Sequence, residues 1–149
     1  MRSWIKCGQL NWVDGGLKQV ATYLCKMETR VHTGIGIVLA LIFGAFAAVQ
    51  YNDPDPLTWI AIYGCLVVMH VWSIFKPIPL FICLFPMIAA IVGAVLLWPE
   101  EFQGLTGKMD SRPGVELARE SLGLIICALG SLYLAIRSVV RVKRSRKLV

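Results

Sequence analysis

Charge disappears from this chain in long runs, and the polar residues between those runs fall in short, turn-forming clusters. Residues 34–50, 57–75 and 78–98 hold no Asp, Glu, Lys or Arg, and residues 121–140 hold only Arg137. A hydrocarbon core of about 30 Å takes roughly 17 to 25 helical residues to cross. Each run therefore predicts a transmembrane helix. Backbone in lipid must satisfy its own hydrogen bonds, which leaves helices or closed barrels, and these runs lack the period-2 alternation of barrel strands. The predicted fold is an all-α membrane protein with four transmembrane helices in an antiparallel bundle. Residues 1–32 form an N-terminal extension, residues 33–140 the transmembrane domain and residues 141–149 a basic tail.

The clusters between the runs sharpen this outline. Gln50-Tyr51-Asn52-Asp53-Pro54-Asp55-Pro56 predicts a sharply turned corner: Pro54 pushes Asp53 out of helical geometry, Asp55 is placed to cap the second helix, and Pro56 occupies a first-turn position that needs no donor. Phe75-Lys76-Pro77-Ile78-Pro79 is short enough to demand a tight antiparallel hairpin. Pro86 is expected to kink the third span, and Trp59 and Trp98 to anchor span ends at the interface. The link from Pro99 to Pro113 is the longest polar segment and is expected to be a mobile loop. Before the first span, apolar residues recur at Leu17, Val20, Ala21, Leu24, Met27 and Val31, with Lys18, Gln19, Lys26, Glu28 and Arg30 between them. That spacing predicts an amphipathic interfacial helix, lying along the membrane before turning into the first span. The alternative is a partly disordered extension; Gly15-Gly16 marks a break in either case.

Composition agrees with a membrane chain: 57% of the 149 residues are hydrophobic and 16% charged, with a mean hydropathy of +0.68. The net charge of +6 is distributed unevenly. Arg2, Lys6, Lys18, Lys26 and Arg30 precede the first span, Lys76 separates the second from the third, and Arg141, Lys143, Arg144, Arg146 and Lys147 follow the fourth. The positive-inside bias puts these segments, and so both termini, on the cytoplasm-equivalent side. Arg137, near the end of its span, is expected to snorkel to the headgroups. Cys7 and Cys25 precede the spans while Cys65, Cys83 and Cys127 lie inside them, so no disulfide is expected. The basic tail lacks interleaved aromatic residues and directly follows a span, which points to a bilayer with anionic lipids and to no nucleic acid.

Small residues recur every fourth position at Gly36, Ala40, Gly44 and Ala48, and again at Gly123, Cys127, Ser131 and Ala135. Such ridges allow close backbone approach. They predict that the first and fourth spans pack together, bringing the corner residues Gln50, Asn52, Asp53 and Asp55 against Glu116, Arg119 and Glu120 at the outward edge. Arg119 offers a planar fork to bridge Asp53 or Glu116. The carboxylates also suit a helix N-terminus, where the dipole favours them. A hard cation such as calcium would accept the same oxygens, but no loop of defined ligand spacing is present, so no metal is assigned. His32 and His70 are too sparse for a bis-histidine haem site, and His70 is expected to be a hydrogen-bonded packing residue. No nucleophile and base grouping and no glycine-rich loop after a strand is found. Neither an enzyme nor a cofactor is expected.

Two motifs carry a resemblance. Ala47-Ala48-Val49-Gln50-Tyr51-Asn52-Asp53-Pro54-Asp55-Pro56, followed by Trp59 and Tyr63, resembles the signature of the transmembrane protein 220 family. The run from Glu116 through Arg119-Glu120-Ser121-Leu122-Gly123-Leu124-Ile125 resembles that family's second motif, an acidic turn entering its last helix. The similarity covers about residues 34–140, and the extension before His32 is not part of it. It implies a small protein with four spans and assigns no substrate, cofactor or catalytic residue. The functional expectation is a non-enzymatic interaction or accessory subunit of a larger membrane assembly. Its rival is a small carrier or cation-binding protein using the outward carboxylates.

Overall fold

The computed structural model describes residues 15–53, 55–101 and 113–146. Among the described residues all regular structure is helical: α1 (Gly15–Val49), a 3-10 turn (Gln50–Asn52), α2 (Pro56–Phe75), α3 (Leu80–Leu96) and α4 (Pro113–Arg146). Residues of the expected loop between 102 and 112, those before Gly15 and those after Arg146 lie outside the described residues.

Neighbouring side chains fix the directions of the helices. Gly36 faces Ile74 and Gly44 faces Val67, so α1 and α2 are antiparallel. Gly93 faces Leu124, and Ser138 Oγ donates to the Ile78 carbonyl at 2.9 Å, so α3 and α4 are antiparallel too. Trp59 and Tyr63 lie against Gly123 while Ser73 meets Arg137, so α2 and α4 run in the same direction across the bundle diagonal. The α1–α2 and α3–α4 pairs carry most of the backbone packing, and α2 touches α4 more lightly. The start of α1, the α2–α3 connection and the last turns of α4 thus share one end, and the 3-10 turn shares the other with the start of α4.

The small-residue ridges lead elsewhere than the sequence spacing suggests. The α1 ridge receives α2, and Gly123 of the α4 ridge also receives α2, where a Cβ would stand 2.5 Å from the Tyr63 hydroxyl. A ridge marks which face is closely approached, not which helix approaches it. The bulky Trp59 and Tyr63, both buried on α2, occupy the space that Gly123 leaves, while Val67 and Ile74 fill that beside Gly44 and Gly36. The first and fourth helices instead meet through side chains, with Phe43 lying against Gly130.

Further expectations are revised. The amphipathic stretch and the first span form one uninterrupted 35-residue helix, without the intervening turn. The third helix is shorter than residues 78–98: it has 17 residues, at the lower limit for a crossing, because Pro77 and Pro79 hold its approach extended. Three other helical segments, Thr22–Val49, Pro56–Phe75 and Gly114–Arg141, are long and apolar enough to span a membrane. Trp59 is no interfacial anchor but is buried within the bundle, whereas Trp98 is exposed. Pro86 lies inside α3, which continues past it, and α4 extends through residues 141–146.

The core is built on Phe43, Leu66, Cys83 and Cys127, with small residues between them. Large apolar side chains such as Leu41, Phe81, Phe85 and Val95 are exposed around the outside, the inverse of a water-facing surface and the arrangement expected where lipid is the solvent. Cys65, Cys83 and Cys127 are free thiols; Cys7 and the side chain of Cys25 lie outside the described residues.

Candidate functional site

The end bearing the carboxylates is assembled by two helix starts and a turn. Asp53 follows the 3-10 turn in extended geometry (φ −83°, ψ 154°), and its N–H donates to the Gln50 carbonyl at 3.1 Å. The restriction that Pro54 places on its predecessor accounts for that geometry. Asp55 occupies the cap position and Pro56 the first turn of α2, but the Asp55 side chain makes no capping hydrogen bond. The backbone at φ −117°, ψ 60° departs from the β-region geometry usual for a capping residue.

Glu116 lies in the first turn of α4 and Glu120 one turn further along. Glu120 is half-buried, with the Trp59 indole within hydrogen-bonding reach and Glu116, Asp53 and Asp55 as its charged neighbours. Tyr63 is paired with the side chain of Gln50. The corner and the α4 start are therefore brought together as the sequence suggests, with Trp59 and Tyr63 as the recorded links. Arg119 is on the exposed face of α4, and the side chain of Asn52 lies outside the described residues. Of the ridge residues, Gly36, Ala40, Gly123, Cys127, Ser131 and Ala135 are buried, Gly44 is half-buried and Ala48 is exposed. No group of three or more His, Cys, Asp or Glu among the described residues is arranged to hold a metal ion.

The opposite end holds a polar cluster whose members the sequence spacing does not bring together. His70 is fully buried, stacked against Phe43 at 5.5 Å between ring centroids and against Tyr133 at 6.3 Å. Both of its ring nitrogens lack a hydrogen-bond partner, so it is not the hydrogen-bonded residue expected. Ser73 Oγ donates to the His70 carbonyl at 2.7 Å and accepts from Arg137 Nη1 at 3.1 Å. Arg137 is only 6% exposed, and its Nε, like Ser131 Oγ, has no partner. Rather than snorkelling out, this arginine is folded inward onto α2. Nearby, His32 Nδ1 and the Tyr133 hydroxyl are 2.9 Å apart, with Glu28 Oε1 3.7 Å from His32 Nε2.

Each of these groups was visible as a single polar residue within an apolar run, and an ionisable residue in a span is itself a functional pointer. What the spacing could not reveal is that residues 73 and 137, or 32 and 133, converge at one level. An unsatisfied buried donor or acceptor costs about 1–3 kcal/mol, so a cluster with several of them is not explained by packing alone.

Apolar helices of spanning length, an outside clad in aliphatic and aromatic side chains and polar groups confined to the two ends define a small helical integral membrane protein. Residues 42–136, more than half of the chain, match the family model described as Transmembrane family 220, helix. The chain belongs to that family. No curated protein matches it, and no solved structure does.

Proposed function

We propose that this protein is a non-enzymatic interaction or accessory subunit of a larger membrane assembly. All four helices cross the bilayer in this reading, and the basic residues before the first span, at Lys76 and after the fourth keep both termini on the cytoplasm-equivalent side. The observation carrying the proposal is the first half of α1, residues 15–31, outside the stretch matched by the family model. There Val20, Leu24, Met27 and Val31 recur at helical spacing on one face, each more than half exposed. An exposed apolar stripe of this kind, with Lys26 and Arg30 beside it, suits the groove of a partner helix.

Two recesses of the bundle lie along α2 and beside Arg137, and Asp53 lines neither of them. The test is the native mass of the protein in gently solubilised membranes. We expect a discrete species heavier than the 16.5 kDa chain, reduced to the single chain by Leu24→Asp with Met27→Glu. A wild-type protein that runs as a single chain would refute the proposal.

A further inference from the structure

Arg137 poses an electrostatic problem. Its side chain is more than nine-tenths buried, its Nε is unpartnered, and its recorded hydrogen-bond acceptor is the neutral Ser73 hydroxyl. No carboxylate among the described residues forms an ion pair with it, and the charge bearing on it is a second cation, Arg141. A buried cation without a counter-charge costs several kcal/mol. Lys76 and Arg141 line the same cleft as Arg137, together with Ser73 and Ser138. The cleft has a volume of only about 10 Å³, room for about one water-sized atom. An anion must therefore insert a single oxygen and keep its bulk at the mouth, as a phosphoryl group can.

A second feature joins this one. An open, apolar groove of about 360 Å³ runs along α2, lined by Val67, Val68, Val71, Trp72 and Phe75, and it too ends at Lys76. The Lys76 ammonium stands 5.8 Å from the centre of the Trp72 ring, between the groove and the cleft. A hydrocarbon trough that leads into a cationic pocket has the two-part chemistry of a phospholipid, and its charge selects an anionic one.

We propose that this end of the bundle is a binding site for one anionic phospholipid, with an acyl chain laid along α2 from Val67 to Phe75 and a phosphate oxygen inserted between Lys76 and Arg137. The guanidinium supplies directed donors to the phosphoryl oxygen and the ammonium a point charge. Ser73 orients the guanidinium and is a positioning residue. The phosphate supplies the counter-charge that the protein itself withholds.

The full-length protein in non-ionic detergent is titrated with phosphatidylglycerol and, separately, with glycerol 3-phosphate and inorganic phosphate, and bound species are counted by native mass spectrometry. One saturable phosphatidylglycerol per chain is expected. Lys76→Gln, at an exposed position outside any helix, should weaken it about fivefold, and Arg137→Gln more strongly. Val71→Trp, which fills the trough, should weaken phosphatidylglycerol while leaving glycerol 3-phosphate unchanged. Retention of phosphatidylglycerol by Lys76→Gln at wild-type affinity would overturn the proposal whatever becomes of Arg137→Gln. So would glycerol 3-phosphate binding as tightly as the lipid, which would make this a site for free phosphate.

Discussion

The two ends of the bundle handle charge in opposite ways. At one end Asp53, Asp55, Glu116 and Glu120 gather where two helices begin, exposed or half-buried, with Trp59 and Gln50 supplying polar contacts between the helices. Repulsion there is relieved by solvent, and carboxylates at helix starts are favoured by the dipole. At the other end, Arg137 and His70 are withdrawn from the surface, and polar atoms on both, as on Ser131, are left without partners. Like charges at a wet edge need no further explanation, whereas a buried cation with a neutral acceptor does. The difference teaches where to look for a ligand: at the end where buried polar atoms are left without partners.

The most severe way to break this contrast is to remove the ring that touches both ends. Phe43 stacks on Tyr63 at 6.4 Å and on His70 at 5.5 Å and is fully buried. Phe43→Ala should cost about 3–5 kcal/mol, read by denaturant unfolding in micelles, and should alter amide resonances near both Gln50 and Arg137. Changes confined to one end would mean that the ends are not joined through this ring.

A more selective change is Ser73→Ala, which takes away the acceptor of Arg137 and should cost about 1–3 kcal/mol in lipid-free micelles. Added phosphatidylglycerol should recover part of that loss if the arginine has an outside partner. The smallest effect is expected at the acidic end. Because Asp55 makes no capping bond, Asp55→Ala should shift stability by less than about 0.5 kcal/mol, where a working cap would lose about 0.5–2 kcal/mol. A loss in that larger range would show that the carboxylate caps α2 after all.

The legibility of these features in the sequence follows from how local they are. The corner at Gln50 to Pro56 was readable because proline, aspartate and an abrupt end to an apolar run act within a few residues of one another. The meeting of that corner with Glu116 and Glu120 is legible too, although the small-residue ridges of α1 and α4 face α2 and not each other. Ridge spacing carries no label for its partner; on α4 the partner is the bulky face of Trp59 and Tyr63, which needs a smooth one such as Gly123 opposite. The cluster of His70, Ser73 and Arg137 was harder still. Its members sit in two helices separated by 64 positions at the Ser73–Arg137 bond, and one polar residue per turn of apolar helix gives no pattern to count. The continuity of α1 through residues 31–34 was hidden for the opposite reason: a shift from amphipathic to uniformly apolar composition changes the surroundings of a helix without breaking its backbone.

The concentration of close packing within α1–α2 and within α3–α4 has a consequence for biosynthesis. Each hairpin meets most of its neighbours within itself, so each can leave the insertion machinery as a settled unit, with the later pair joining the earlier one sideways in the membrane. The seam formed at that moment includes the diagonal where Gly123 receives Tyr63 and Ser73 receives Arg137, and the contact of Phe43 with Gly130. A ribosome that has finished Phe75 has already made everything the first hairpin needs, but the arginine that closes the seam is still to come.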